Sequence, residues 1–154
     1  KLKLEAGLSQ LRKDGKLCVD CAIYGSPDDA AKAVLNQTSG PSEQYQLEVS
    51  GSIYKQGDKW AYSAPKVGGY GSASLTTDMI GYHTHPYGDL VFSNRDNRYG
   101  DTGSGDAGWV AKSQKTLYLG VKTGNRVSIG ACDFGKCPEW RPGKLPTQPS
   151  RVIQ

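Results

Sequence analysis

Apolar positions near the start of the chain recur at helical spacing. Leu4, Leu8 and Leu11 lie three or four residues apart, and Asp14-Gly15 ends the run. Side chains at this spacing share one face of a helix, so the pattern predicts a short helix here. The next segment, residues 17–24, is compatible with a strand or with an ordered connection.

A second helix is predicted from its capping residues. Ser26 can cap the helix, Pro27 suits the first helical position, and the carboxylates of Asp28-Asp29 favour the positive end of the helix dipole. Alanine-rich sequence follows. The helix is expected to end by the run Thr38-Ser39-Gly40-Pro41.

Alternating apolar and polar residues predict strands in much of the remaining chain. Two hairpins are expected, and between them a strand that Pro86 stops and a helix that Ser104-Gly105-Asp106 caps. The strands are residues 45–55 and 60–64, then 79–85, then 116–121 and 126–130, and the helix ends at about Ser113. Residues after Pro138 are proline-rich and are expected to be extended and weakly packed.

This order of elements predicts an α/β fold in which a mixed or mostly antiparallel sheet is covered by a few helices. The 154 residues suffice for one domain. We expect an N-terminal helix and Cys-x-x-Cys segment at 1–22, a central domain at 23–132 and a Pro-rich tail at 133–154.

Composition excludes some functional classes. No apolar run approaches the roughly 20 residues that a membrane helix needs. The net charge is +4, but the charges are scattered, whereas nucleic-acid binders usually carry a denser basic stripe. Arg95 and Arg98 are the exception, because their position would let them contact an anionic group of a substrate.

The four cysteines fall into two pairs, Cys18-x-x-Cys21 and Cys132-x4-Cys137. The spacing is compatible with a four-thiolate structural zinc site or with two disulfides. Because each pair lies near one end of the predicted core, either arrangement is expected to staple the termini together. Two unlinked redox pairs are a third alternative, but Cys18-x-x-Cys21 has no visible thioredoxin-like context.

The two histidines of the chain form the string His-x-His-x7-Ser-x-x-Asp with Ser93 and Asp96. Alternate side chains of a strand share a face, so His83 and His85 would point the same way. With the Asp96 carboxylate they make three ligands for zinc and leave a position open for water. Rival carboxylates for the third ligand are those of Asp89, Asp101 and Asp106.

Such a centre needs further groups for hydrolysis. Bound zinc lowers the pKa of water toward about 7. A general base must then take the proton, and Glu48 is the best candidate because a charge in the middle of a predicted strand is unfavourable unless it has a role or faces solvent. Ser93 would donate a hydrogen bond to the developing oxyanion, or would cap a helix, or both.

The pattern Glu48…His83-Thr84-His85-Pro86-x6-Ser93-x-x-Asp96 resembles the JAB/MPN (JAMM) metallopeptidase signature. More narrowly, it is similar to the JAB-like domain at the C-termini of Rhs-type bacterial polymorphic toxins. The further matching pieces are Ser26-Pro27-Asp28-Asp29-Ala30-Ala31, Gly51-x-Ile53-Tyr54, Gly81-Tyr82, Phe92 and Tyr118-Leu119-Gly120-x4-Asn125-x-Val127.

The resemblance implies a JAB/MPN-like (cytidine-deaminase-like) fold with zinc bound by the two histidines and Asp96. It implies that Glu48 is the base and that Ser93 aids the transition state. The expected function is hydrolysis of peptide or isopeptide bonds by a secreted antibacterial effector toxin, delivered into a target cell and blocked by a cognate immunity protein.

Two other functions are compatible with the same residues. One is a toxin that acts on nucleic acid or a nucleotide, since Arg95 and Arg98 could steer phosphate. The other is a metal-free binding module that has kept the fold alone.

Overall fold

The computed structural model describes residues 1–69, 73, 75–93, 105–137 and 147–154. These residues form one α/β domain with three helices and a mixed seven-stranded sheet. The helices are α1 (Leu2–Lys13), α2 (Pro27–Tyr45) and α3 (Gly105–Ser113). The strands are β1 (Val49–Gln56), β2 (Lys59–Tyr62), β3 (Lys66–Val67), β4 (Ile80–His85), β5 (Leu117–Thr123), β6 (Arg126–Cys132) and β7 (Arg151–Val152).

The sheet has the strand order β2-β1-β4-β5-β6-β7, and β3 pairs with β1. Among the described strands, only β4 and β5 pair in parallel, and the chain crosses between them through α3, since parallel neighbours need a long connection. The predicted mixed sheet and both hairpins are confirmed. Among the described residues, no helix combines the length and the apolar character that crossing a bilayer would require.

Helix α2 begins as its sequence predicts but ends later. The Ser26 hydroxyl accepts a hydrogen bond from the Asp29 amide at 3.1 Å. The helix then continues through Pro41 to Tyr45, so the expected end at residues 38–41 is wrong.

Burial against the sheet explains the longer helix. The inner face of α2 stays in the core past the proline, and its buried residues include Val34, Leu35, Thr38 and Ser42. Pro41 removes one backbone donor, but this packing continues on both sides of it. As a consequence the strand expected from Tyr45 begins only at Val49.

The N-terminal helix belongs to the same core. Leu4 and Leu8 are buried on one face of α1 and pack in one cluster with Val34 and Leu35 of α2. The segment that follows is an ordered connection with a single bridge, between Tyr24 and Trp60, rather than a strand.

The described end of the tail, residues 147–154, is well packed, so the expectation of weak packing is wrong for that part. Strand β7 adds to the edge of the sheet beside β6. The Arg151 guanidinium lies 2.7 Å from an Asp28 oxygen and 2.6 Å from an Asp133 oxygen. One long side chain thus ties the tail to the start of α2 and to the end of β6.

We expect Arg151→Met to lower the free energy of unfolding by about 1 kcal/mol at pH 7, since both ion pairs are partly exposed. Burial raises the pKa of Asp28 and of Asp133, but the hydrogen bonds and charge of Arg151, together with a hydrogen bond from Tyr118 to Asp28 and from Thr116 to Asp133, outweigh it and lower both. A lowered carboxyl pKa stabilises the fold above the unfolded value near 4 and ceases to do so as pH falls through the folded value.

The difference in the free energy of unfolding between wild type and Arg151→Met, measured by urea denaturation, should therefore shrink as the pH falls from 5 to 2. Arg126→Met, which removes an exposed arginine at the start of β6, is the control. A difference that does not change with pH would contradict the assignment.

Each cysteine pair forms a disulfide within its own segment. Cys18 bonds to Cys21 and Cys132 bonds to Cys137, with Cα–Cα distances of 5.5 and 5.6 Å. The expected staple between the termini is therefore wrong. The reason is geometric, since the short spacing within each pair already allows a disulfide to close locally.

Candidate metal centre

The two histidines lie on one face of β4, in the middle of the sheet. The His83 side chain is 1% exposed, and its Nε2 atom lies 3.2 Å from Nε2 of His85. The rings meet nearly edge to face, at 79°. The alternation of a strand, predicted from the sequence, thus brings both imidazoles to one point.

A backbone group orients His83. Its Nδ1 atom lies 2.9 Å from the carbonyl oxygen of Tyr118, which belongs to the parallel neighbour β5. A carbonyl can only accept, so Nδ1 carries the proton and donates it. This leaves the Nε2 lone pair directed at His85 and available to a metal ion, as is usual for ligating histidines.

Asp106, near the start of α3, supplies the carboxylate that meets both histidines. One of its oxygens lies 3.1 Å from Nε2 of His83, and the other lies 3.1 Å from Nε2 of His85. Asp106 is one of the rivals named for the third ligand, and another, Asp89, lies in an exposed loop. The first choice from the sequence, Asp96, lies outside the described residues, as do Asp101, Arg95 and Arg98.

Ser93 fixes Asp106 through a reciprocal pair of hydrogen bonds. The Asp106 amide donates to the Ser93 hydroxyl, and the Ser93 amide donates to the Asp106 carboxylate, both at 2.9 Å. The arrangement is that of a capping box, in which two side chains satisfy each other's backbone donors. Gly105 permits the approach, because a Cβ there would lie 2.7 Å from the Ser93 hydroxyl.

We expect Ser93→Ala to weaken the affinity for an added divalent metal about 10- to 100-fold, as losing the partner of a ligand usually does. Titration with Zn²⁺ against a competing chelator would measure it. Ser113→Ala is the matched control, because Ser113 accepts a hydrogen bond at the other end of α3, far along the helix from Asp106. Equal losses in both variants would mean that Ser93 acts only through helix stability.

Glu48 lies beside the histidines but not where the sequence suggested. It precedes β1 by one residue instead of occupying the middle of a strand, because α2 extends to Tyr45. Its side chain is buried, and its Oε1 atom lies 3.7 Å from Nε2 of His85. Two backbone hydrogen bonds of 2.8 Å, with Gly68 and Gly69, hold the residue there.

The charges at this point favour a cation. Burial raises the pKa of Asp106, but its interactions with His83 and then His85 outweigh burial and hold that pKa far below the usual range. Burial lowers the pKa of His83, yet the carboxylates of Asp106 and Glu48 bring a net rise. A buried pair of carboxylates is costly unless a positive charge compensates it, and a metal ion is one such charge.

Two overlapping sets of donors share the histidines. Ligand atoms of Glu48, His83 and His85 all lie within 4.8 Å of one another, so this buried group could bind a metal ion. Asp106 is nearer to both histidines, at 3.1 Å against 3.7 Å for Glu48 and His85. Asp106 therefore fits the position of a direct ligand better, and Glu48 lies slightly farther out.

One contact of the metal centre, the one that orients His83, could not be predicted from the sequence. The Tyr118 carbonyl that orients His83 is a backbone atom, and any residue there would supply it. Asp106 did have a signal, since Ser104-Gly105-Asp106 predicts a helix start, and α3 begins at Gly105. The signal did not distinguish a helix cap from a ligand.

Comparison with known proteins adds no relative. No protein-family model matches the chain, and no curated protein or solved structure is significantly similar to it.

Proposed function

We propose that the protein is a zinc-dependent hydrolase of peptide or isopeptide bonds. The main support is that His83, His85 and Asp106 converge on one largely buried point beside Glu48. Each imidazole Nε2 atom lies 3.1 Å from an Asp106 oxygen, and the two Nε2 atoms lie 3.2 Å apart. Two imidazoles and a carboxylate are a common donor set of catalytic zinc sites that keep a position open.

The spacing fits this ion. Tetrahedral zinc with bonds of about 2.0 to 2.1 Å separates its ligand atoms by about 3.3 Å. The two imidazole Nε2 atoms lie 3.2 Å apart, and each lies 3.1 Å from one of the two Asp106 oxygens. When bound, zinc supplies a hydroxide nucleophile at neutral pH by lowering the pKa of water to about 7. His83, His85 and Asp106 would hold the ion, and the Tyr118 carbonyl would keep His83 in the correct tautomer.

Glu48 and Ser93 have positions that suit the remaining roles. Glu48 is buried, with its Oε1 atom 3.7 Å from Nε2 of His85, and there its carboxylate would take a proton from the attacking water and pass it to the leaving amine. The Ser93 oxygen accepts the Asp106 amide, so its hydroxyl hydrogen is left to donate. It would stabilise the negative charge that develops on the carbonyl oxygen of the scissile bond.

We further propose that the protein is related to the JAB/MPN metallopeptidases, with one difference in the site. Asp106, and not Asp96 as in the family motif, is the third zinc ligand. The support is the cap formed by Ser93, which in the motif precedes the aspartate by three residues and here contacts Asp106 across residues 94–104. The mixed sheet flanked by helices is compatible with that fold.

We also propose that the hydrolase acts outside the cytosol of the producing cell, as a delivered antibacterial effector with a cognate immunity protein. Two disulfides support this, because disulfides persist mainly in oxidising compartments. Wild type and Glu48→Gln, each expressed with and without a periplasmic signal peptide, would test it. Growth inhibition by wild type alone is expected, and equal growth of all four strains would contradict it.

Peptide profiling would test the hydrolase itself. Zinc-loaded wild type is incubated with a proteome-derived peptide library and with isopeptide-linked peptides, and new amino groups are read by mass spectrometry. New α-amines or lysine ε-amines are expected with wild type only. No cleavage, or equal cleavage by Glu48→Gln, would overturn the proposal.

A further inference from the structure

Thr84 lies between the two histidines in sequence but faces the other side of β4. Its side chain is fully buried, and its hydroxyl donates to the Ser42 hydroxyl of α2 at 2.7 Å. The Thr84 oxygen also accepts the Val49 amide at 2.9 Å. Ser42 in turn donates to the carbonyl oxygen of Leu47 at 2.6 Å. Two hydroxyls thus form a short chain of hydrogen bonds under the sheet.

Both ends of this hydroxyl chain are peptide groups of Glu48. The Leu47 carbonyl belongs to the peptide before Glu48, and the Val49 amide belongs to the peptide after it. A hydrogen bond to each of these peptides restrains the two backbone dihedral angles of Glu48, and with them the direction of its Cα–Cβ bond. The anchor at Thr84 is covalently part of the strand that carries both histidines.

We propose that the hydroxyl chain of Thr84 and Ser42 positions Glu48 against the metal centre. The inference rests on the proposed function, because it assumes that Glu48 is the base. Thr84 touches no reacting atom, so it is a positioning residue. The bonds with Gly68 and Gly69 and the β1–β4 pairing hold the Glu48 backbone from the sheet side, and the hydroxyl chain adds a tie to α2 and to Thr84. Misplacing a catalytic group by about 1 Å can cost about 100-fold in rate.

The test compares Thr84→Val with Thr84→Ser. Valine keeps the shape and removes the hydroxyl, which leaves the Val49 amide and the Ser42 hydroxyl without this partner. We expect unchanged zinc stoichiometry, a fall in kcat of about 100-fold and little change in KM, with the library peptide that wild type cleaves fastest as substrate. Thr84→Ser should restore most of kcat.

The chain offers a matched control in Thr38→Val. Thr38 is as buried as Thr84 and lies in α2, as Ser42 does. Its hydroxyl donates within its own helix, to the Val34 carbonyl at 2.9 Å. Thr38→Val should lose stability and keep kcat. Ser42→Ala, which breaks the hydroxyl chain at its other member, serves if Thr84→Val does not fold.

Hydrogen exchange separates this inference from the proposed function, because it needs no catalysis. The Val49 amide should exchange about tenfold faster in Thr84→Val than in wild type or Thr38→Val, as expected for the loss of one buried hydrogen bond. Unchanged Val49 exchange, wild-type kcat in Thr84→Val, or equal losses in Thr84→Ser would each overturn the inference. If wild type has no hydrolase activity but the Val49 amide exchanges faster in Thr84→Val, only the proposed hydrolase function is overturned.

Discussion

His83→Ala is expected to leave the protein unable to retain zinc. Structural zinc sites with four ligands yield roughly 10 to 16 kcal/mol, or about 3 kcal/mol for each ligand, so losing one ligand lowers affinity at least about 100-fold. The variant also removes the fully buried imidazole beside the Asp106 and Glu48 carboxylates and leaves them the partly exposed imidazole of His85. Elemental analysis of untagged protein after desalting, and a chelator titration, would measure the loss.

The aspartates provide the sharpest comparison. Asp106→Asn should lose zinc like His83→Ala, because an amide is a poor ligand and cannot balance the ion. Asp89→Asn, in an exposed loop, is the control and should keep it, and Asp96→Asn should keep it too. If Asp96→Asn loses zinc and Asp106→Asn keeps it, the third ligand is Asp96, as the motif first suggested, and not Asp106.

Glu48→Gln is expected to keep zinc and lose hydrolysis. Glutamine has the same shape, but its amide cannot accept the proton of the attacking water. General-base catalysis contributes about 100- to 10,000-fold, so kcat should fall by that range. Zinc content and the rate on one library peptide, measured on the same sample, would separate the two effects.

Glu43→Gln is the control for that change. Glu43 lies near the end of α2, is partly exposed, and has an oxygen 3.8 Å from Nζ of Lys122. It should behave like wild type. If Glu48→Gln loses zinc instead, Glu48 is a ligand together with His83 and His85, and the assignment of the base is wrong.

Elements that depend on neighbouring residues were predictable. The cap of α2 at Ser26, both hairpins and strand β4 follow from spacing, turn residues and alternation. Elements that depend on distant contacts were not. Helix α2 passes Pro41 because its inner face is buried, and residues 147–154 pack on the sheet because Arg151 contacts carboxylates from two other segments.

That two imidazoles share one face of a strand was predictable from the amino-acid sequence alone, because alternation is a local property of extended backbone. The sequence also singled out Glu48 and Ser93. Only the tertiary structure brought Asp106 to the histidines, gave His83 its partner at Tyr118, and joined Glu48 to β4 through Thr84. These contacts join residues that lie 21 to 35 positions apart in the chain, and their distances follow from how α2, α3 and β5 pack on the sheet.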